Sequence, residues 1–437
     1  MRIVLAVALL LLAPAAAHAE WTGQTLSKPH TFVDDPGVIV SSDGAALASW
    51  RFQNGLGNRG RSGLEGATRA PGASGFGARV GLVRATPNVR PGAIAAGLEP
   101  YGRSGAILAL QLPGAADTPA GRLGVRFGST SGRFGRIRTI RRAGPHSIPR
   151  ASLATNARGD AALAWFEDRG VRTDRVYVAV RRAGHAFGAP RRLATGRIRG
   201  VAAAIGERGD VLVSWDARGV LRTRFKPRGS KGFRATDTIR SKPAFFDDMH
   251  PVVTPSGRAV LAWSAQFLSE GGSSGPVRFQ AAVRPAGARR FARARLLETI
   301  PARDYDGLGR TIDAVADSAG VVAIAWRGAS GVRVQRGAGP VQTVSPAGST
   351  AVLSDLAAGP DGRLLAVWDT GVEDPAAIVR AALANGVGAP FGAPEDVSAA
   401  GRDSHFGHAA FVGTRPLVVL ASRPAGGGER VAQAYVR

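Results

Sequence analysis

Short apolar runs bounded by turn residues recur along the whole chain. The clearest run begins with Gly and ends in Trp six residues later, as in GDAALAW at 159–165 and GDVLVSW at 209–215. The other copies are GAALASW at 44–50, GRAVLAW at 257–263, GVVAIAW at 320–326 and GRLLAVW at 362–368. Apolar runs of about four to eight residues between glycines predict buried β-strands, because a helix would need a longer stretch with a period of about 3.6.

Two degenerate copies extend the repeat. They are GAILALQ at 105–111, which has Gln111 in the place of Trp, and RPLVVLA at 415–421. The first residues of the eight copies then lie 42 to 63 residues apart. A self-similar period of roughly this length is typical of solenoids, propellers and repeat arrays.

Each unit contains further strand-like segments. In DRVYVAVRRAGHAFGAPRRLA, residues 174–194, valines alternate before a turn at Ala183-Gly184, and a second apolar stretch ends at Leu193. A short apolar stretch such as Gly37-Val38-Ile39-Val40 precedes the glycine. Up to four strands per unit predict an all-β fold, a single β-propeller of about eight four-stranded blades. Seven blades remain the alternative, because the second and last units are degenerate.

The repeated Trp and Gly have packing roles in such a fold. A blade cannot cover both of its faces alone, so we expect Trp to fill the wedge between neighbouring blades. The small residue before Trp allows a close approach on the opposite face. Gly is expected to open the turn between the first and second strands, where a positive φ is favourable only for Gly.

The two termini complement each other. The last unit ends with GERVAQAYVR at 428–437, which supplies a third strand but no fourth. The segment Trp21-Thr22-Gly23-Gln24-Thr25-Leu26 resembles the missing strand. We therefore expect the N-terminal strand to close the ring, which removes both exposed sheet edges.

The first 19 residues have the features of a secretory signal peptide. They contain Arg2, an apolar run at 3–12 and Ala17-His18-Ala19 as a cleavage site. The sequence predicts a signal peptide at 1–19 and one propeller domain at 20–437, without a transmembrane segment after cleavage. We expect a secreted, periplasmic or extracellular protein and a monomer. The chain has no Cys, so burial of apolar surface must stabilise it without disulfides.

The charge balance is strongly basic. Lys and Arg number 57 against 32 Asp and Glu, which gives a formal net charge of +25. The excess of Arg has two explanations that the sequence leaves open: codon bias of a GC-rich genome, or a surface for anionic polymers of the cell envelope. Nucleic acid is not an expected partner, because the chain is exported and carries no recognisable nucleic-acid module.

One pair of segments carries candidate chemistry. Phe32-Val33-Asp34-Asp35 and Phe245-Phe246-Asp247-Asp248 superpose when the units are aligned on the glycine before Trp. We expect them at the loops that enter the innermost strands, around one mouth of the central channel. The candidate ligand-binding residues there are Asp34, Asp35, Asp247, Asp248, His250, Arg150, Arg310 and His405.

These residues suggest a site for a polyhydroxyl ligand or a cation such as Ca²⁺, because carboxylates accept hydrogen bonds and coordinate hard cations. No other cofactor is expected. The alternative is that each Asp caps a turn or pairs with a neighbouring Arg. His405 and His408 also have a spacing that occurs in metal sites, although no third ligand stands beside them.

The turn sequences resemble those of secreted bacterial sialidase-like and Asp-box β-propellers. Ser41-Ser42-Asp43-Gly44 and Gly359-Pro360-Asp361-Gly362 are similar to the Asp-box, but Gly lies six residues before Trp instead of three, and Thr is missing. Sialidase activity would need an Arg triad, a Tyr paired with a Glu, and an Asp. Tyr305 is the best loop candidate for the Tyr, and no Glu stands beside it.

The sequence therefore favours an exported, non-enzymatic binding or scaffold propeller of the cell envelope, with a glycan or a protein as its ligand. A sialidase-like glycoside hydrolase or a lectin is the alternative. A purely structural assembly partner is a third class.

Overall fold

The protein folds into eight four-stranded antiparallel sheets arranged as the blades of a ring. The computed structural model describes residues 20–55, 60–87, 94–112, 121–142, 149–168, 173–239, 245–268, 274–302, 311–347, 349–371 and 376–437. The predicted signal peptide and Tyr305 lie outside the described residues. The all-β propeller prediction is confirmed, and the blade number is eight.

The strands follow the chain in groups of four, from the innermost to the outermost strand of each blade. Blade 1 contains β2 Phe32–Val40, β3 Ala46–Asn54, β4 Arg61–Arg69 and β5 Arg79–Pro87, and blade 2 contains β6 Ile94–Tyr101, β7 Gly105–Leu112, β8 Arg122–Ser129 and β9 Arg138–Arg142. Blade 3 contains β10 Pro149–Thr155, β11 Ala161–Glu167, β12 Asp174–Arg181 and β13 Arg191–Gly196, and blade 4 contains β14 Ile198–Ile205, β15 Val211–Ala217, β16 Leu221–Lys226 and β17 Asp237–Ile239.

Blade 5 contains β18 Phe245–Val253, β19 Ala259–Leu268, β20 Ser274–Arg284 and β21 Arg295–Ile300, and blade 6 contains β22 Ile312–Ala316, β23 Val322–Gly328, β24 Gly331–Arg336 and β25 Val341–Thr343. Blade 7 contains β26 Val352–Ala358, β27 Leu364–Asp369, β28 Val379–Ala384 and β29 Glu395–Asp396, and blade 8 contains β30 Arg402–Val412, β31 Arg415–Pro424 and β32 Val431–Val436 with β1 Thr22–Thr25. Within the described segments, a short 3-10 turn at Pro360–Gly362 precedes β27. No helix there is long and apolar enough to cross a membrane.

The N-terminal strand closes the ring, as the sequence predicts. β1 pairs antiparallel with β32, with Thr22 opposite Val436 and Thr25 opposite Gln433. The pairing extends beyond the strand, because the Leu26 N–H donates to the Ala432 carbonyl at 2.8 Å. The eighth blade therefore combines both ends of the chain, and the last hairpin gains the fourth strand that its own sequence lacks.

The repeated Trp residues fill the wedges between blades. All six are fully buried. Trp215 of blade 4 packs with Ala164 and Val176 of blade 3, and Trp326 of blade 6 packs with Ala262 and Val277 of blade 5. Each of these Trp side chains thus faces the preceding blade, which confirms the packing role.

The glycines of the repeat sit at the predicted turns. Their φ angles lie between 70° and 93°, in the left-handed region that a residue with a Cβ rarely adopts. The six are Gly44, Gly159, Gly209, Gly257, Gly320 and Gly362. The need for Gly at this point is therefore a backbone requirement.

In the two degenerate blades, the residue that faces the preceding blade lies one position before the residue that the sequence alignment places in the Trp column. Leu110 packs against Leu47 of blade 1, and Leu420 packs against Leu365 of blade 7. Leu110 and Leu420 therefore face the preceding blade as Trp does elsewhere, and the placement of Gln111 at that position is wrong. We call Leu110, Leu420 and the six Trp residues the wedge positions.

Candidate functional site

One residue of each innermost strand forms a layer around the channel. Its partner on the second strand is the residue immediately before the wedge position. Thus His250 pairs with Ala262, which precedes Trp263, and Asp313 pairs with Ala325, which precedes Trp326. We call this ring the channel layer. In blades 1 to 8 its members are Gly37, Gly97, Ser152, Ala202, His250, Asp313, Asp355 and His408.

The channel layer has a polar half and a small-residue half. Blades 5 to 8 supply two His and two Asp residues, whereas blades 1 to 4 supply Gly, Gly, Ser and Ala. His250 Nδ1 lies 2.9 Å from Asp313 Oδ1, and His408 Nδ1 lies 3.3 Å from Asp355 Oδ2. The polar half therefore consists of two His–Asp pairs, each joining adjacent blades.

Side chains of the channel layer also hold neighbouring blades together. The Ala203 N–H donates to Ser152 Oγ at 3.2 Å, and the Ala409 N–H donates to Asp355 Oδ2 at 2.8 Å. The Leu356 N–H donates to Asp313 Oδ2 at 3.1 Å. In all three cases the donor is one residue beyond the channel layer of the next blade. These contacts satisfy N–H groups on the free edges of inner strands, which would otherwise be unpaired.

The channel holds a cavity of about 870 Å³, within the size range of small-molecule sites. Seven of the eight channel-layer residues line it, together with Asp35 and Glu99. Of the described residues that line the cavity, none is Tyr or Arg, the residue types that a sialidase site needs. The cavity therefore offers the two His–Asp pairs on the side of blades 5 to 8. On the side of blades 1 to 4 it offers small channel-layer residues together with the carboxyl groups of Asp35 and Glu99.

Asp34 and Asp35 have different environments. Arg51 on the adjacent strand forms an ion pair with Asp34, and Arg51 Nε donates to Asp34 Oδ1 at 2.7 Å. Asp35 lies in the bulge after Asp34, has a φ of 45° and lines the cavity with a side chain that is 56% exposed. Arg51 Nε also lies 3.6 Å from Asp35 Oδ2, so both carboxylates pair with Arg51 as the alternative expects, and only Asp35 also faces the channel.

The pKa of Asp35 is raised. Partial enclosure by the channel wall is the largest cause, and the negative charge of Asp34 adds to it. Arg51 and His408 act in the opposite direction. The Asp35 carboxyl at this mouth is therefore protonated more readily than a free carboxyl.

Asp248 connects two blades instead of lining the cavity. Its Oδ2 accepts hydrogen bonds from the Thr311 N–H at 2.7 Å and from Thr311 Oγ1 at 2.9 Å. The Asp247 side chain lies outside the described part of the structure. His250, two residues beyond Asp248, is the member of this segment that reaches the channel.

His405 and His408 occupy different environments in the same bulged strand. His405 is buried, with Nε2 2.5 Å from Asp403 Oδ1 and Nδ1 3.7 Å from Asp369 Oδ2. Burial by itself lowers the pKa of His405, but Asp369 and Asp403 together raise it above its usual value. His408 instead points to Asp355 and lines the cavity.

Of the other two candidates, Arg150 does not join this arrangement. Arg150 is exposed on β10 and does not line the cavity, although Ala151 and Ser152 beside it do. Arg310 lies outside the described residues. Among the described residues, no group of three His, Cys, Asp or Glu side chains is arranged to hold a metal ion.

Glu99 is the most strongly perturbed acid at the channel. It stands on β6 two residues beyond Gly97, where solvent reaches it along the channel but the ring of strands surrounds it. Burial raises the pKa of Glu99 to about 8, and the charge of Asp355 contributes. At neutral pH Glu99 is therefore mainly a neutral carboxyl that can donate a hydrogen bond.

Sequence reasoning missed Glu99, Asp313 and Asp355. A signal for the last two exists, because His250, Asp313 and Asp355 all lie seven residues before the glycine of their repeat. Comparison of the residues seven positions before each repeat glycine identifies Asp313 and Asp355. Glu99 carries no such signal, since its blade is degenerate and shifted by one residue.

One comparison with a solved structure supports the propeller fold. The sequence matches no protein-family model and no curated protein. The "Dos1 propeller" structure is 10% identical, with a TM-score of 0.51 over 94% of each chain. A Dyadobacter fermentans DSM 18053 protein of unknown function is 12% identical, with a TM-score of 0.44 over 95% of this chain and 97% of that one.

The structural neighbours also include sialidases. The NanB sialidase from Streptococcus pneumoniae is 9% identical, with a TM-score of 0.38 over 95% of this chain and 70% of that chain. Values as low as these assign no family and no activity to the protein. They concern the fold alone, because the identities are far below those at which sites correspond.

Proposed function

We propose that the protein is an exported, non-enzymatic binding propeller, and that its ligand site is the channel mouth beside the polar half of the channel layer. The observation that carries this proposal is the asymmetry of that layer. Two His–Asp pairs face a wall of small residues across a cavity of about 870 Å³. The small residues leave room for a ligand, and the His–Asp pairs, together with Asp35 and Glu99 of blades 1 and 2, supply groups that orient it.

The ligand class that fits best is a polyhydroxyl compound such as a glycan. Carboxylates accept hydrogen bonds from hydroxyl groups, and imidazole and the neutral carboxyl of Glu99 can donate to them. Asp313 and Asp355 already accept bonds from backbone N–H groups of the next blade, which fixes their orientation. Export rests on the N-terminal segment, and a location at the cell envelope would bring the channel to such ligands.

The test is a thermal-shift panel of bacterial cell-wall and acidic glycans, with Ca²⁺ and EDTA as further additions. A ligand present at about 100 times its dissociation constant should add ~2.7 kcal/mol to the free energy of unfolding. Asp35→Asn and His250→Gln should each weaken binding about tenfold, as expected for loss of a hydrogen bond to a charged or imidazole group. His185→Gln is the matched control, because His185 is exposed in a turn of blade 3, away from the cavity.

A glycan shift that both channel variants leave unchanged would place the site elsewhere. A shift with Ca²⁺ alone, abolished by Asp35→Asn, would favour the cation over the glycan. Release of sugar from any glycan that binds would contradict the non-enzymatic assignment and support a glycoside hydrolase.

A further inference from the structure

A second, strongly basic groove lies between the turns of blades 3 and 4. It is formed by the turns that follow the inner strands β10 and β14 and by the turns that follow β12 and β16. It therefore lies at the opposite end of the inner strands from Asp35. The groove has a volume of about 430 Å³, and its charged lining residues are six cations and Asp160. The six are Arg158, Arg181, Arg182, Arg208, Lys226 and Arg228.

Three of the cations have internal roles. The buried Arg181 guanidinium donates to the carbonyls of Gly159 and His185 and stabilises its own turn. Arg158 forms an ion pair with Asp160 at 3.3 Å. Arg208 Nη1 donates to the Ser256 carbonyl at 3.4 Å, which leaves its charge without a carboxylate partner among the described residues.

The other three cations face the groove without an ion-pair partner in the described part of the chain. They are Arg182, Lys226 and Arg228, of which the two Arg side chains are exposed. Burial lowers the pKa of the Lys226 ammonium, and the nearby Arg182 charge lowers it further, although Asp210 acts in the opposite direction. Like charges therefore converge on this groove without full compensation.

Among the six Gly–Trp repeats, a cation directly before the turn glycine occurs only in these two blades, whereas a cation at the end of the third strand recurs as Arg69, Arg284 and Arg336. The residue before the turn glycine is Arg158 in blade 3 and Arg208 in blade 4. The equivalent residue is Asp43 in blade 1, Ser256 in blade 5 and Asp361 in blade 7. A general excess of Arg in the sequence does not explain why the cations of four turns coincide at one gap between blades.

We propose that this basic groove is a second binding site, which takes a phosphate-bearing ligand. Guanidinium groups bind phosphate oxygens in a bidentate manner, and an ammonium adds a compact charge beside them. Arg182 stands in the turn after β12 of blade 3 and Arg228 in the turn after β16 of blade 4, both with exposed side chains, and Lys226 ends β16 two residues before Arg228. The groove is large enough for a diphosphate or for a segment of a phosphate polymer.

The test is calorimetric titration of the purified protein with inorganic pyrophosphate and with linear polyphosphate, in buffer of about 0.15 M ionic strength. The double variant Arg182→Gln/Arg228→Gln should bind both probes at least tenfold more weakly. The control Arg84→Gln/Arg142→Gln removes two exposed charges from the outermost strands of blades 1 and 2 and should stay within about twofold of the wild type. Melting temperatures of both double variants should match the wild type.

The possible results distinguish binding in the groove from nonspecific attraction of phosphate anions to a positively charged protein. Absence of binding to either probe, or an equal loss in the control variant, would overturn it. Tighter binding of polyphosphate than of pyrophosphate at equal phosphate concentration supports a polymer as the source of the phosphate. Equal affinity for both probes supports a free phosphate compound.

Discussion

The wedge positions and the channel layer are neighbours in every blade, yet they differ in how strictly the repeat specifies them. Six of eight wedge positions are Trp, and all six are fully buried. The channel layer one strand further in contains Gly, Ser, Ala, His and Asp. Every blade must bury one large side chain against its neighbour at the wedge position, whereas the residue type that each blade places at the channel varies. Repetition therefore marks packing, and divergence within the same repeat marks candidate function.

The largest effect should follow from breaking a wedge. Trp215→Ala removes a fully buried side chain from the core shared by blades 3 and 4, so it should lower the free energy of unfolding by about 3–5 kcal/mol. Chemical denaturation measures this. Val387→Ala, at a side chain that is 67% exposed, is the control and should change stability by less than about 0.5 kcal/mol. A loss below about 1 kcal/mol for Trp215→Ala would contradict the wedge role.

A smaller, pH-dependent effect is expected at the channel. Because the folded-state pKa of Glu99 is about 8, folding takes up a proton between the unfolded pKa of 4.5 and that value. The contribution of Glu99 is thus fully favourable below pH 4.5 and is lost as the pH rises to about 8. Glu99→Gln should therefore stabilise the protein at pH 8.5 by on the order of 2 kcal/mol, less than the full shift implies because solvent enters the channel.

Urea denaturation at pH 5.5 and pH 8.5 checks this prediction. The variant should gain relative to the wild type mainly at the higher pH. An equal difference between the two proteins at both pH values would show that the Glu99 carboxyl is not perturbed in the folded state.

The smallest change in stability is expected in the small-residue half of the channel layer, where Ser152 accepts a hydrogen bond from the next blade and Ala202 does not. Ser152→Ala leaves the Ala203 N–H without its acceptor, so it should cost about 1 kcal/mol. Ala202→Ser should bring no matching gain, because the corresponding residue of the next blade is Pro251, which has no N–H to donate. Paired denaturation curves measure both, and a clear gain for Ala202→Ser would contradict the interblade hydrogen-bond account.

The candidate site was only partly predictable, for reasons that particular residues show. His250 and Asp35 were identified because the two Phe-containing Asp segments superpose in sequence, and both reach the channel. Asp34 pairs with Arg51 on the adjacent strand, and Asp248, which aligns with Asp35, is held by Thr311 of the next blade, a partner that the motif does not reveal. Asp313 and Asp355 were missed because a single Asp in a short strand resembles any polar residue until its strand is placed beside a channel.

The sequence by itself determined the architecture, since the spacing of Gly and Trp, the apolar runs and the complementary termini specify strands, turns, wedges and ring closure through local backbone and burial requirements. Only the tertiary structure decided which residues meet. The His–Asp pairs span adjacent blades, Glu99 owes its raised pKa to enclosure by the whole ring, and the basic groove needs turns about 50 residues apart in the chain. Such contacts depend on distance in space, which a repeat pattern does not contain.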